Sequence, residues 1–345
     1  MRALRITAWK HQPELLEIPD PDPGPGQVRV KVGGAGLCHS DLHLLHEFDD
    51  GMVPWGPPFT LGHENAGWVD AVGAGVTGLE PGEPVAVYGA WGCGRCGNCS
   101  RGFENYCERQ NELGTYGGGL GDDGGMAPYL LVPDARFLVP LGDVDPADAA
   151  PLTDAGLTPY HAIKRSLPLL GAGTHAVVIG VGGLGHLAVQ ILAAMSATTI
   201  VAVDARSEAL QLAKSTGAHV TVLSGEQATA QIMDATKGRG AEAVFDFVGA
   251  DATLALAGSV SRAMGHVTCV GIAGGTFPFS FFSQPYEVSL ATTYWGSRPE
   301  LMEVLALAAA GHLKPEVHRF DLDGAADAYR MLADGKLTGR GVVVP

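Results

Sequence analysis

Residues 176–185 read Ala176-Val-Val-Ile-Gly180-Val181-Gly182-Gly183-Leu184-Gly185. The opening run is continuously apolar, as in a strand buried on both faces of a parallel sheet. It leads straight into G-x-G-x-x-G, and a helical pattern follows from Leu184 to Met195. In that setting each glycine has a task. Gly180 permits the tight turn, Gly182 lets the backbone approach a pyrophosphate, and Gly185 lets helix and strand pack closely. Gly183 and Leu184 complete the loop. The helix N-terminus then offers free N–H groups and a partial positive charge to phosphate oxygens. Asp204 ends the next strand, Thr199 to Asp204, 19 residues after Gly185. A carboxylate there accepts from both hydroxyls of an adenosine ribose and repels a 2′-phosphate, so the loop reads as a site for NAD rather than NADP. Arg206 opposes that preference, because a nearby arginine favours a 2′-phosphate.

Outward from this loop, strands and helices alternate. Helix Ser207 to Thr216, a short strand near His219, a helix from Gln227, strand Ala243 to Phe247, helix Thr253 to Arg262, strand His266 to Gly271 and strand Val288 to Thr292 follow in turn. Such alternation predicts a parallel, doubly wound α/β sheet. The first 150 residues have another style. Short strand candidates at Gln27 to Val32, Trp68 to Val72 and Pro84 to Tyr88 lie between turns, after a stiff Pro-rich stretch at Pro19 to Gly26. The last 50 residues show one helix, Glu300 to Ala310, and one strand, Gly341 to Val344. The expected organisation is a β-rich domain over 1–155, a dinucleotide-binding domain over 156–295, and a tail over 296–345 that completes the first.

With 345 residues, 46% of them apolar and 17% charged, the chain suits two globular domains. Its 22 basic and 37 acidic residues leave a net charge of −15. Such a surface argues against nucleic acid and anionic membrane as partners. No apolar leader or membrane-spanning run is visible, so a cytoplasmic protein is expected. Thiols stay reduced there, and six cysteines then suggest metal or catalysis before disulfides.

Four of those cysteines form Cys93-x2-Cys96-x2-Cys99-x7-Cys107. Tetrahedral zinc accepts four thiolates, and tight C-x2-C turns present paired sulfurs to one ion. A zinc lobe at 89–110 would organise a Gly-rich stretch that otherwise lacks periodicity. With all four positions filled by protein, this zinc is structural. Cys38 and His63 remain as a thiolate and an imidazole that could hold a second zinc, with a carboxylate as third ligand and a substrate oxygen as fourth.

At this point the sequence resembles the zinc-dependent medium-chain alcohol dehydrogenases. Gly36-Leu37-Cys38-His39-Ser40-Asp41 and Gly62-His63-Glu64-x2-Gly67-x5-Gly73-x2-Val76 carry the resemblance. The four-cysteine lobe and the glycine loop follow in the family's order, so it spans essentially the whole chain. Asp154-Ala-Gly-Leu-Thr158-Pro-Tyr-His161-Ala and Gly339-Arg340-Gly-Val-Val look like bacterial, and especially actinobacterial, NAD-dependent secondary-alcohol dehydrogenases. The resemblance implies a GroES-like catalytic domain interrupted by a Rossmann domain. It implies a catalytic zinc on Cys38, His63 and Asp154, where animal liver relatives have cysteine in place of Asp154. Glu64 would stand beside the metal, and Asp41 would accept from His63. Ser40 would touch the alcohol oxygen, with His43 as relay to water. Thr158 and Leu184 would touch the cofactor, and Arg340 its phosphate. His39 stands where many relatives have a phosphate-facing arginine, which weakens that contact. Trp55, Tyr294 and Trp295 would wall the substrate pocket. A small alcohol or ketone substrate, preferably secondary and including bulky or aryl ones, and a homodimer or homotetramer complete the expectation. A polyol, an amino alcohol or a formaldehyde adduct is the alternative substrate class.

Overall fold

The computed structural model describes all 345 residues and divides the chain into two compact units. The first comprises Met1–Leu157, Trp295–Ala309 and Pro315–Pro345; the second comprises Thr158–Tyr294 and Ala310–Lys314. No helix is long and apolar enough to cross a membrane.

The first unit is built on a mostly antiparallel sheet of seven strands. Its centre is Val28–Gly36, which pairs antiparallel with Glu64–Val72, Tyr129–Val132 and Arg340–Val344. This strand alternates as far as Val32 and then runs through Gly33-Gly34-Ala35-Gly36, all buried. The small residues let other groups come close. An ideal Cβ on Gly36 would lie 2.0 Å from a Glu64 carboxylate oxygen, so only glycine leaves room for that side chain. The strand Arg340–Val344 arrives from the far end of the chain and lies beside the same glycines. The N-terminal and C-terminal parts of this unit are thus parts of one sheet.

The second unit holds six parallel strands in the spatial order Val220–Leu223, Thr199–Asp204, His175–Ile179, Ala241–Asp246, Ser261–Cys269, Ser289–Thr292. The chain runs outward one way from His175–Ile179 and then crosses to build the other half. Ligands bind at the carboxyl ends of the strands where such an order reverses. Val177, Ile179, Val201, Val203, Val244 and Val267 form the core of this sheet.

Most elements sit within two residues of their expected positions. Strand Ser261–Cys269 starts five residues earlier than the pattern shows, across an irregularity opposite Ala241 to Ala243. Three elements lie outside the expectation. Helix His39–His46 is masked by its polar composition, and helix Leu157–Ser166 by the glycine and proline around it. In the last 50 residues, a strand Val317–Asp321 and a helix Ala325–Ala333 add to the expected pair. That helix buries Ala325, Ala328, Tyr329 and Leu332. Their spacing is helical, but two alanines and a tyrosine make a weak hydropathy stripe.

Candidate active site

Two metal-ligand clusters stand in the first unit. Cys93, Cys96, Cys99 and Cys107 bring four sulfurs within 4.8 Å of one another, and Cys38, His63, Glu64 and Asp154 do the same with mixed donors.

The four-cysteine lobe consists of tight turns with two short 3₁₀ segments, Cys99–Arg101 and Glu104–Tyr106. Its backbone N–H groups aim at sulfur. Cys99 N–H donates to Cys96 Sγ, and the N–H groups of Cys93 and Arg109 both donate to Cys107 Sγ, each at 3.4 Å. Amide donors of this kind stabilise thiolate, and the Cys99 amide leads in bringing the Cys96 thiol down to about 6. Burial and the neighbouring Cys96 instead push Cys99 up. Four thiolates so close repel one another unless a dication sits among them, so the lobe fits zinc. The lobe is tied to the main sheet by Arg136, which donates to the Gly92 carbonyl at 2.7 Å and to buried Glu104 at 3.3 Å.

The second cluster is assembled from four places. Cys38 caps the start of helix His39–His46, while His63 and Glu64 open the strand Glu64–Val72. Asp154 follows a 3₁₀ turn, Ala150–Thr153. His63 Nε2 lies 3.6 Å from Asp154 Oδ2, and Cys38 Sγ lies 3.9 Å from the same oxygen. On the other side of the ring, His63 Nδ1 lies 3.1 Å from Asp41 Oδ1. Asp41 is fully buried. A carboxylate on Nδ1 holds the proton there and leaves the Nε2 lone pair for a metal. Burial opposes charge on His63, but Asp41 and Asp154 outweigh it and raise its pKa well above the usual value. Burial pushes the Cys38 thiol up, yet Arg340 and His63 draw it below its usual value. The donors therefore favour a cation in their midst, and a thiolate, an imidazole and a carboxylate suit zinc with a fourth place open.

Glu64 has a different partner. It forms a two-point ion pair with Arg340, whose Nε lies 3.0 Å from Glu64 Oε2 and whose Nη2 meets Oε1. Both side chains are buried. Burial works against the Arg340 charge, and Glu64 more than restores it. Breaking such a pair from one side costs about 3–5 kcal/mol.

Ser40 Oγ lies 3.4 Å from His63 Nε2, at the metal-facing nitrogen. His43 Nδ1 lies 2.8 Å from Glu47 Oε2 on the same helix. His39 is exposed. Trp295 is buried, donates from Nε1 to the Thr153 carbonyl at 2.8 Å, and sets its ring edge-on to His63 at 5.7 Å. It thus braces His63 and the residue before Asp154. Trp55 joins an aromatic cluster with Trp9, Phe48, Phe59 and Tyr116. Tyr294 is 42% exposed.

In the second unit, the loop after His175–Ile179 has the expected properties. Gly180 has φ +84°, and a Cβ on Gly185 would lie 1.9 Å from the Gly180 carbonyl oxygen. A Cβ on Gly182 would meet nothing nearer than Arg206 at 3.9 Å, so this glycine faces open space. Gly183 and Leu184 follow it, half-exposed, and helix Gly185–Met195 begins without a side-chain cap or an acidic residue in its first turn. Its N–H groups are thus available to phosphate. Asp204 accepts from Val181 N–H at 2.7 Å and Arg206 N–H at 2.9 Å, with Arg206 Nε 3.6 Å away. Two carboxylate oxygens have about four lone-pair sites, so capacity for a ribose remains. Thr158 lies buried in helix Leu157–Ser166.

The family comparisons agree with this geometry. Residues 24–143 match the model of the alcohol dehydrogenase GroES-like domain, and residues 183–310 that of the zinc-binding dehydrogenases. An NAD-dependent alcohol dehydrogenase of Sulfurisphaera tokodaii is 36% identical over 357 residues, which cover 100% of both chains. The chain belongs to the zinc-dependent medium-chain alcohol dehydrogenase family. The alcohol dehydrogenase of the archaeon Aeropyrum pernix matches this dehydrogenase with a TM-score of 0.92 at 35% identity, covering 100% of both chains. An acetophenone reductase of Geotrichum candidum, solved in complex with NAD, gives a TM-score of 0.87 at 30% identity, covering 100% and 97% of the two chains. This dehydrogenase is accordingly an NAD- and zinc-dependent oxidoreductase.

One site residue lies outside the sequence reading. Tyr329 O–H donates to Asp41 Oδ2 at 2.7 Å. It sits on the helix that the pattern did not reveal, 288 residues from its partner.

Two outcomes are expected. Elemental analysis of wild-type protein should find two zinc ions per chain. Cys99→Ser should lose one of them with much of its stability, because metal binding there is part of folding. His63→Ala should lose the other and the activity while keeping its circular dichroism. For the loop, Asp204→Gly should weaken NAD and relax its preference over NADP, read as the ratio of kcat/KM for the two. A wild-type ratio favouring NADP would contradict the assignment of Asp204.

Proposed function

We propose that this dehydrogenase interconverts secondary alcohols, including bulky and aryl ones, with their ketones. The observation that carries the substrate class is the indole of Trp295 against His63. An aromatic wall beside a metal ligand favours an apolar substituent over a small alcohol. The exposed Tyr294 follows from the adjacent position, and we assign Trp55 to the same pocket. The acetophenone reductase among the relatives acts on an aryl ketone, which supports the reading.

Zinc on Cys38, His63 and Asp154 supplies Lewis acidity at the reacting oxygen, and NAD accepts the hydride. The residues of the chain do the rest. Asp41 keeps His63 in the tautomer that presents Nε2. Ser40 Oγ, close to that nitrogen, takes the hydroxyl proton. His43 is three residues further along the same helix and so on the same face. Oriented by Glu47, it passes the proton to water. Arg340 holds Glu64 and offers the cofactor phosphate a positive charge, and Thr158 and the Gly180–Gly185 loop hold the dinucleotide. His39 contributes a weaker phosphate contact.

The chain also fits a homo-oligomer in the cytoplasm. Strand Ser289–Thr292 is the open edge of its sheet, and Phe279, Phe281, Phe282, Tyr286 and Leu290 are exposed on or near it. An open edge beside exposed aromatics is a surface that soluble monomers avoid. All six cysteines are free, which suits a reducing compartment.

Each buried methylene contributes roughly 0.8 kcal/mol. With saturating NAD, 2-octanol and 1-phenylethanol should therefore exceed ethanol in kcat/KM by about one to two orders of magnitude. Ethanol equal to either would overturn the substrate class and leave the zinc chemistry standing. For the proton path, Ser40→Ala should lower kcat by about 10²–10⁴-fold. His43→Ala should lower it less, because water replaces the outer relay, and its rate should partly return at high pH. Wild-type rates and pH profiles in both variants would refute the relay.

A further inference from the structure

We infer that Tyr329 is a positioning residue of the catalytic metal site, acting through Asp41 on both Cys38 and His63. The inference rests on those residues holding zinc and is independent of the substrate reading.

Asp41 is the joint of the site. Its Oδ1 faces His63 Nδ1 at 3.1 Å. Its Oδ2 accepts the Cys38 backbone N–H at 3.1 Å and the Tyr329 O–H at 2.7 Å. The shortest of the three contacts belongs to the residue furthest away in sequence. Asp41 and Tyr329 are both buried, so no bulk water stands ready to replace the phenol.

The geometry assigns each oxygen a duty. A carboxylate can turn about its last torsion, which is soft and roughly two-fold. The Cys38 amide alone anchors one oxygen from one direction. The phenol adds a second donor on that oxygen, and two donors from different elements fix the plane of the carboxylate. With the plane fixed, Oδ1 is aimed at His63 Nδ1, and the ring presents Nε2 toward Cys38 and Asp154. Burial, and then the negative charge of Asp41, hold the Tyr329 pKa well above its usual value, so the phenol keeps its proton and always donates. A donor that never ionises is suited to holding a geometry and unsuited to relaying protons.

The helix Ala325–Ala333 that carries Tyr329 contacts the helix His39–His46, which carries Asp41. Tyr329 also donates to the Met126 sulfur at 3.4 Å, which limits its own freedom. The C-terminal segment thereby reaches the metal site twice, through Tyr329 on Asp41 and through Arg340 on Glu64. A role of Tyr329 in packing alone would not require its hydroxyl to meet a buried carboxylate.

The test is Tyr329→Phe, which removes only the hydroxyl. Zinc release from the wild type to a colorimetric chelator should show two phases, one for each ion. In the variant the catalytic-site phase should quicken by about tenfold or more, in the range that lost outer partners of metal ligands produce. The phase of the four-cysteine site should not move and serves as the internal control. Cobalt placed in the catalytic site should show shifted visible bands in the variant, a readout independent of turnover. In the Asp41→Asn background, Tyr329→Phe should add little to either change, because its effect passes through the carboxylate. If phenylalanine is not tolerated, Tyr329→Gln and Tyr329→Leu repeat the comparison at matched size, and the glutamine donor should retain zinc longer. A lowered Tm with unchanged zinc release and unchanged cobalt bands, or equal release from the glutamine and leucine variants, would reduce Tyr329 to packing and overturn the proposal. Absence of a separate catalytic-site phase in the wild type would overturn the metal reading and this inference together.

Discussion

Negative charge buried at one place in the first unit is the constraint around which the rest of that unit is arranged. Cys38, Asp41, Glu64 and Asp154 offer a thiol and three carboxylates, and none of them is fully exposed to water. A lone buried carboxylate costs several kcal/mol and would instead take up a proton. Each acid here has an answer. Arg340 grips Glu64 at two points. Asp41 is held by Tyr329, by the Cys38 amide and by the nearby imidazole. Cys38 and Asp154 share His63 and a place for a dication. Two of these answers come from the C-terminal segment, which explains why the chain must return to its first unit after building the second.

The same logic separates the two metal sites. In the four-cysteine lobe, sulfurs fill every position, and amide N–H groups surround them. Such a closed site contributes to folding and offers no place for a substrate. In the catalytic cluster the donors are mixed, and Ser40 stands at the metal-facing nitrogen of His63. The bracing of His63 from several sides, by Asp41, Trp295 and the strand that follows it, restrains the ring while a ligand position stays open.

The glycine-rich composition acquires its meaning locally. At Gly36 the missing Cβ makes room for the Glu64 carboxylate. At Gly185 it makes room for the Gly180 carbonyl, and at Gly182 it leaves open space. Two of these close approaches lie inside the protein, whereas the open one faces a ligand.

Local patterns were sufficient to recognise the parallel sheet, the glycine loop with Asp204, the four-cysteine lobe, and Cys38 and His63 as a metal pair. Each depends on residues close in sequence or on a motif with its own spacing. A buried strand needs a run of apolar residues, a C-x2-C turn needs two cysteines, and a phosphate loop needs its glycines in order. The remaining features needed the tertiary structure because their partners are far apart in sequence. Glu64 pairs with Arg340 across 276 residues, and Tyr329 with Asp41 across 288. The helix bearing Tyr329 has too weak an apolar stripe to announce itself, and its stability comes from packing. The role of Trp295 as a brace on His63 was likewise invisible, since an aromatic residue reads the same whether it walls a pocket or packs a ligand. Short-range periodicity encodes which elements form. Which buried charge meets which counter-charge is decided only when the sheet brings the two ends of the chain together.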